Sequence, residues 1–202
     1  MPWHVPRRME KPADNVLRLP KMSQNTRRNF GSAASRKRGE SNFMRAFERA
    51  WFARHISGLA AGEFALSGYG VADLVWLAWR PKPDEEDFSA VSIQRQIARR
   101  HLYAFEGKLK DWQRALQQAF RYRYFADKAI VVMPSGNEGP ALTNLEAFRH
   151  LEVGLWSFDA KTGVIREHYT PKKVRAMNAA ARVRAIELLS GSFNFGKLGK
   201  EF

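Results

Sequence analysis

Glu106 and Lys108 stand two residues apart in the stretch HLYAFEGKLKDWQRALQQAF, inside an apolar run that reads as a strand. Burying either charge is costly unless something pairs with it. A second acid, Asp73, interrupts GVADLVWLAW, another apolar run. Carboxylates brought together on rigid neighbouring elements can hold a divalent cation. Mg²⁺ prefers hard oxygen donors, keeps several waters, and needs only one or two carboxylates. Such an ion lowers the pKa of bound water and neutralises developing charge, which is what cleavage of a phosphodiester requires. If the two strands pair, Asp73 and Glu106 meet at one edge of a sheet. Strand side chains alternate, so Glu106 and Lys108 share a face. Gly107 points the other way, which leaves its carbonyl to ligate. Lys108 would hold or help deprotonate the attacking water, or stabilise phosphate charge.

An acid-x-Lys triplet alone says little, since about one is expected by chance in a chain of this composition. Asp159 and Lys161 form a second, but they lie in DAKTG, which reads as a hairpin turn where solvated charge is ordinary. An ion pair between Glu106 and Lys108 at a sheet edge is the plainer alternative, and it leaves Asp73 unexplained.

The elements that must position these groups follow from periodicity. EFALS and GVADLVWLAW read as strands joined by GYG, and HLYAFEGKL as a third. From Lys110 to Ala126 the apolar residues recur with a 3.6 period, which predicts an amphipathic helix. Gln118 and Tyr122 are four apart and stack on a face bordering its buried stripe. The pair could orient a ligand or phosphate, or be a boundary Gln and a snorkelling Tyr. KAIVVMP reads as a buried strand, NLEAFRHL as a helix, and VGLWSFDAKTGVIREHY as a hairpin. Upstream, Phe43, Phe47 and Trp51 follow helical spacing, with Ser41 as N-cap. A last helix is expected over 171–190, and residues 80–100 form an insertion. The order predicts an α/β domain with a mixed central sheet flanked by helices on both faces.

The chain has 202 residues and a net charge of +14. Such an excess points to a polyanionic partner. Ten of the 34 basic residues but three of the 20 acidic ones fall within the first 40 positions, so half the excess sits there. Residues 1–40 therefore read as a disordered basic arm, either a solubilising tail or a phosphate contact, preceding a domain over 41–202. Lys110, Arg114, Arg121 and Arg123 lie on or beside the long helix and could line a phosphate-binding groove or form its solvated face. There is no cysteine, which excludes disulfides and thiolate zinc sites. No run is long enough to span a membrane, no apolar leader opens the sequence, and a cytoplasmic location is expected. No HExxH, Walker or G-x-S-x-G motif occurs.

VADLVWL followed by LYAFEGKLKDWQRALQQAFRYRYFADKAIVVMP resembles the PD-(D/E)XK nuclease superfamily, the restriction-endonuclease-like fold. The resemblance covers roughly residues 41–169. Gln118 and Tyr122 resemble the Q-x-x-x-Y helix of its exonuclease-like branch. The resemblance implies Mg²⁺- or Mn²⁺-dependent phosphodiester hydrolysis, with Asp73, Glu106 and Lys108 catalytic and Asp73, Glu106 and Gly107 at the metal; an endonuclease acting on DNA is expected, with exonuclease action left open. Members often add an acid from the first helix. Glu48 is the candidate, its alternative being a surface Glu paired with Arg45 or Arg49. Three departures stand out. Ala72 replaces the name-giving proline, the 33-residue gap from Asp73 to Glu106 is long, and Gly107 replaces the usual apolar middle residue. They motivate the alternative of a catalytically inactive, nucleic-acid-binding protein of the same fold. A homodimer is compatible with either.

Overall fold

The computed structural model describes residues 15–18, 33–55, 57–78, 100–172 and 175–191. Among the described residues, seven strands form one mixed sheet whose spatial order follows the chain. They are β1 (Asn15–Arg18), β2 (Ser57–Leu66), β3 (Gly70–Ala78), β4 (Leu102–Gly107), β5 (Lys128–Pro134), β6 (Gly154–Phe158) and β7 (Ile165–Tyr169). β2, β3 and β4 form an antiparallel meander, then β4, β5 and β6 run parallel, and β7 returns antiparallel. β1 pairs parallel with β2 at the opposite edge.

Parallel neighbours need a crossover, and α2 (Trp112–Tyr122) supplies it between β4 and β5. Its apolar stripe of Ala115, Leu116, Ala119 and Tyr122 is buried on the sheet, and Asp111 caps it by accepting from the Arg114 amide. The short helices α3 (Gly139–Thr143) and α4 (Leu145–His150) connect β5 to β6, and α5 (Ala179–Gly191) joins α2 on the same face. The other face carries α1 (Ala33–Arg54), whose Phe43, Phe47 and Trp51 repeat every fourth residue onto Leu74, Phe105 and Trp156. Each large side chain removed completely from water here contributes roughly 1.5–3 kcal/mol.

Strand alternation decides where the charges go. Leu102 and Ala104 of β4 face α2, while Phe105 faces α1. The same alternation sends Glu106 to the α2 side.

Several boundaries differ from the expectation. α1 begins at Ala33, so Ser41 lies inside the helix, and β1 and Glu40 fall within the segment read as a disordered arm. Basic residues at 36–38 and Gly39 hid those first turns, because they break the apolar period. The last helix starts at Ala179, not Pro171, and Asn178 caps it by accepting from the Ala181 amide. Most of the expected insertion over residues 80–100 lies outside the described residues.

The lower end of the sheet is fastened by Asp127. Its carboxylate accepts from the Leu102 amide at 2.8 Å and receives both Nε and Nη2 of Arg182 from α5 at 2.8 and 2.9 Å. Removing one partner of a buried pair strands the other. Asp127→Ala should therefore destabilise the domain by about 3 kcal/mol or more in urea unfolding.

Candidate active site

The β3–β4 ladder runs from Leu77 opposite Leu102 to Leu74 opposite Phe105, and its recorded register ends there. Carried one step further, that register would set Asp73 against Glu106, and the Asp73 charge is near enough to raise the Glu106 pKa. The Asp73 carboxylate takes over where the ladder stops, since its Oδ2 accepts the Gly107 amide at 2.8 Å. Asp73 and Glu106 are thereby held on adjacent strands at the C-terminal end of β4.

Glu106 is 1 % exposed. Its Oε1 receives Lys108 Nζ at 3.0 Å, and its Oε2 lies 2.6 Å from the hydroxyl of Tyr122. That hydroxyl is also 2.5 Å from the Val71 carbonyl. The Tyr122 hydroxyl therefore donates toward both the Glu106 carboxylate and the Val71 carbonyl. Helical side chains lean toward the N-terminus of their helix, which is how Tyr122, at the end of α2, reaches the strand end.

Lys108 Nζ also meets Glu40 Oε2 of α1 at 3.2 Å. The first-helix acid at the site is therefore Glu40, not Glu48. Glu48 lies two turns further along, about 12 Å by the helical rise. Sequence reasoning missed Glu40 because it lay in the presumed arm; its signal was its place four residues before Met44, on the buried face. Gly107 does point toward α1, as alternation predicted. A Cβ there would collide with Sδ and Cγ of Met44, so the middle residue must be small because the helix crosses it.

The charges perturb one another. Burial pushes Glu106 up to about 7, with repulsion from Asp73 adding to it, against the opposing pull of Lys108 and Tyr122. Asp73 is also raised, by burial first, and by Glu40 and Glu63 against the Gly107 amide and Lys108. For Lys108, burial favours the neutral form, but Glu106, then Glu40 and Asp73, outweigh it, and the net shift is upward. Lys108 is thus a cation at neutral pH.

The remaining expected residues divide. Gln118 sits one turn before Tyr122, and its carbonyl oxygen is buried with no partner among the described residues. Lys110, Arg114 and Arg121 are exposed. The Arg121 guanidinium lies near Gly70 of the β2–β3 turn. Arg123 does not join them: it is buried, bonded to Glu152 and to the carbonyls of Leu151 and Glu152, and holds the helix ends together. Asp159 is a turn residue, its carboxylate accepting from the Lys161 and Thr162 amides.

Among the described residues, no group of three or more His, Cys, Asp or Glu side chains is placed to hold a metal. The donors that could hold one are Asp73 and Glu106. Two hard carboxylates suit Mg²⁺ or Mn²⁺, which complete their shells with water and substrate oxygens.

No family model matches the chain, and no curated protein matches it. A solved structure similar to it is a protein of unknown function from Silicibacter pomeroyi, with 18 % identity and a TM-score of 0.48 over 77 % of this chain and 85 % of that one. No helix among the described residues is long and apolar enough to cross a membrane.

The raised Glu106 pKa gives a signed prediction. The folded state holds a proton there up to about 7, whereas the unfolded state releases it near 4.5. The contribution to stability is therefore full below 4.5 and lost as pH rises through 7. Glu106→Gln removes this loss. Without divalent ions it should be more stable, relative to wild type, at about pH 8 than at about pH 4.5, by something on the order of 3 kcal/mol in urea unfolding.

Proposed function

We propose that this chain is a metal-dependent nuclease of the restriction-endonuclease-like PD-(D/E)XK type, hydrolysing DNA phosphodiester bonds. The observation that carries the reading is Asp73 seated on the Gly107 amide near Glu106, with Lys108 bonded to Glu106. It is supported by an antiparallel meander followed by a helical crossover to a parallel strand, with one acid on the second meander strand and the acid-x-Lys on the third. Gln118 and Tyr122 on the crossover helix add to it.

Asp73 and Glu106 would hold Mg²⁺ or Mn²⁺, and Gly107 lies between them. When bound, the ion supplies an activated water and neutralises phosphate charge. Tyr122 fixes the rotamer of Glu106 through Oε2. Lys108, kept protonated by its carboxylate neighbours, is suited to stabilise charge building on the phosphate, and unsuited to act as a base. Exposed Lys110, Arg114 and Arg121, with the basic excess of the chain, would hold the DNA backbone by a salt-sensitive contact.

A second reading has its own observation. Both Glu106 oxygens are engaged, and Lys108 is held between Glu106 and Glu40. A site closed on itself in this way would serve a protein that binds nucleic acid without cutting it.

Plasmid and single-stranded DNA incubated with Mg²⁺ or Mn²⁺ separate the two. The nuclease reading expects cleavage abolished by EDTA and lowered at least about 10²-fold by Asp73→Ala and by Lys108→Ala in folded protein. Cleavage that survives both substitutions overturns it. Salt-sensitive binding with no cleavage, and no calorimetric Mn²⁺ binding that depends on Glu106, would favour the non-cutting protein.

A further inference from the structure

Glu63 lies in the middle of β2 with φ +52°. A non-glycine residue in the left-handed region is uncommon, and within a strand it is strained. Glu152, at φ +51°, follows the end of α4, where this conformation is an ordinary way to stop a helix. Glu63 ends nothing.

The register places Glu63 opposite Asp73, since Gly62 pairs with Leu74 and Phe64 with Ala72 on either side. Both strands change faces at this level. Leu59 and Ala61 point into the core beneath α2 and α5, and alternation would send Phe64 and Leu66 to the opposite side. Both lie in the same core instead. On β3, Val75 and Leu77 belong to that core and Leu74 and Trp76 to the other, yet Ala72 rejoins the first. One residue on each strand, Glu63 and Asp73, has been inserted into the alternation. The two residues stand opposite each other, so the alternation flips on both strands while the register stays constant.

We propose that Glu63 is a positioning residue whose left-handed backbone bends the β2–β3 hairpin, so that the Asp73 carboxylate leaves the flat ladder and lands on the Gly107 amide beside Glu106. An unbent hairpin would continue the ladder past Leu74, and the Gly107 amide would face backbone instead of a side chain. The backbone of Glu63 does this work. Its carboxylate is close enough to raise the pKa of Asp73, so substitution must separate the two. The consequence for catalysis rests on the nuclease reading; the consequence for geometry does not.

The test uses the full chain carrying Glu63→Gly, Glu63→Asn, Glu63→Gln, Glu63→Ala or Glu63→Val. It reads the amide proton shift of Gly107, the melting temperature and Mn²⁺-dependent cleavage. Gly and Asn accept positive φ, so they should keep the carboxylate-bonded Gly107 shift and kcat/KM within about threefold, with Gly melting above wild type. Gln should behave as wild type. Val resists positive φ, so it should lose the Gly107 shift and about 10²-fold in kcat, with KM little changed. Should Val fail to fold, Ala against Gly decides, with Ala, like wild type, expected to melt below Gly while keeping the Gly107 shift. An unchanged Gly107 shift in folded Val, or equal melting temperatures of Ala and Gly, overturns the proposal. So does a loss in Gly, Asn and Gln alike, which would assign the effect to the carboxylate. If wild type cuts nothing, the Gly107 amide still decides the geometry, and only the nuclease reading falls.

Discussion

The candidate site depends on one hydrogen bond, from the Gly107 amide to Asp73 Oδ2. It forms where backbone pairing between β3 and β4 gives way to a side chain. A carboxylate there satisfies a buried donor and at the same time stands near Glu106. Structure and chemistry therefore draw on the same atom, and replacing Asp73 with a side chain that has no acceptor, such as Ala, removes both. The rest of the domain works to keep that strand end in place. Asp127 and Arg182 anchor the far end of β4, α2 brings Tyr122 up from below, and α1 crosses above Gly107.

Energetically the arrangement is unfavourable as it stands. Two desolvated acids lie close together, and one ammonium is shared between Glu106 and a third acid, Glu40. Burial raises both acids, with Asp73 adding to it at Glu106 and Glu40 and Glu63 adding to it at Asp73. A domain with a large basic excess thus contains a small acidic centre that holds a proton near neutrality. Such local conflict between sequence and stability is expected where function, not folding, selects the residues.

Much of the scaffold was legible because its signals are local. Alternation in LYAFEG, the 3.6 period after Asp111 and the apolar run at 129–133 each depend on neighbours a few residues apart, and β4, α2 and β5 appear where those patterns lie. The pairing of Asp73 with Glu106 was readable as a possibility, since each acid interrupts an apolar strand, but the register that joins them belongs to the fold. Glu40 was hidden by a basic run that masks helical period. Arg123 was misplaced because its sequence context matches that of its exposed neighbours, and only the position of Glu152, 29 residues on, buries it. Left-handed backbone at Glu63 has no signature in composition, because a glutamate in a strand-like run predicts an extended conformation.

Met44 fills the space that a side chain at residue 107 would need. The middle residue of the acid-x-Lys motif and the fourth residue after Glu40 therefore share one volume. A bulkier residue at 107 requires Met44 to turn aside, a smaller residue at 44, or a lift of α1, and lifting α1 draws Glu40 away from Lys108. The size of a side chain that touches no charge is thus coupled to the electrostatic surroundings of the lysine. Positions 44 and 107 are thus sterically coupled, and through α1 that coupling reaches the charge beside Lys108.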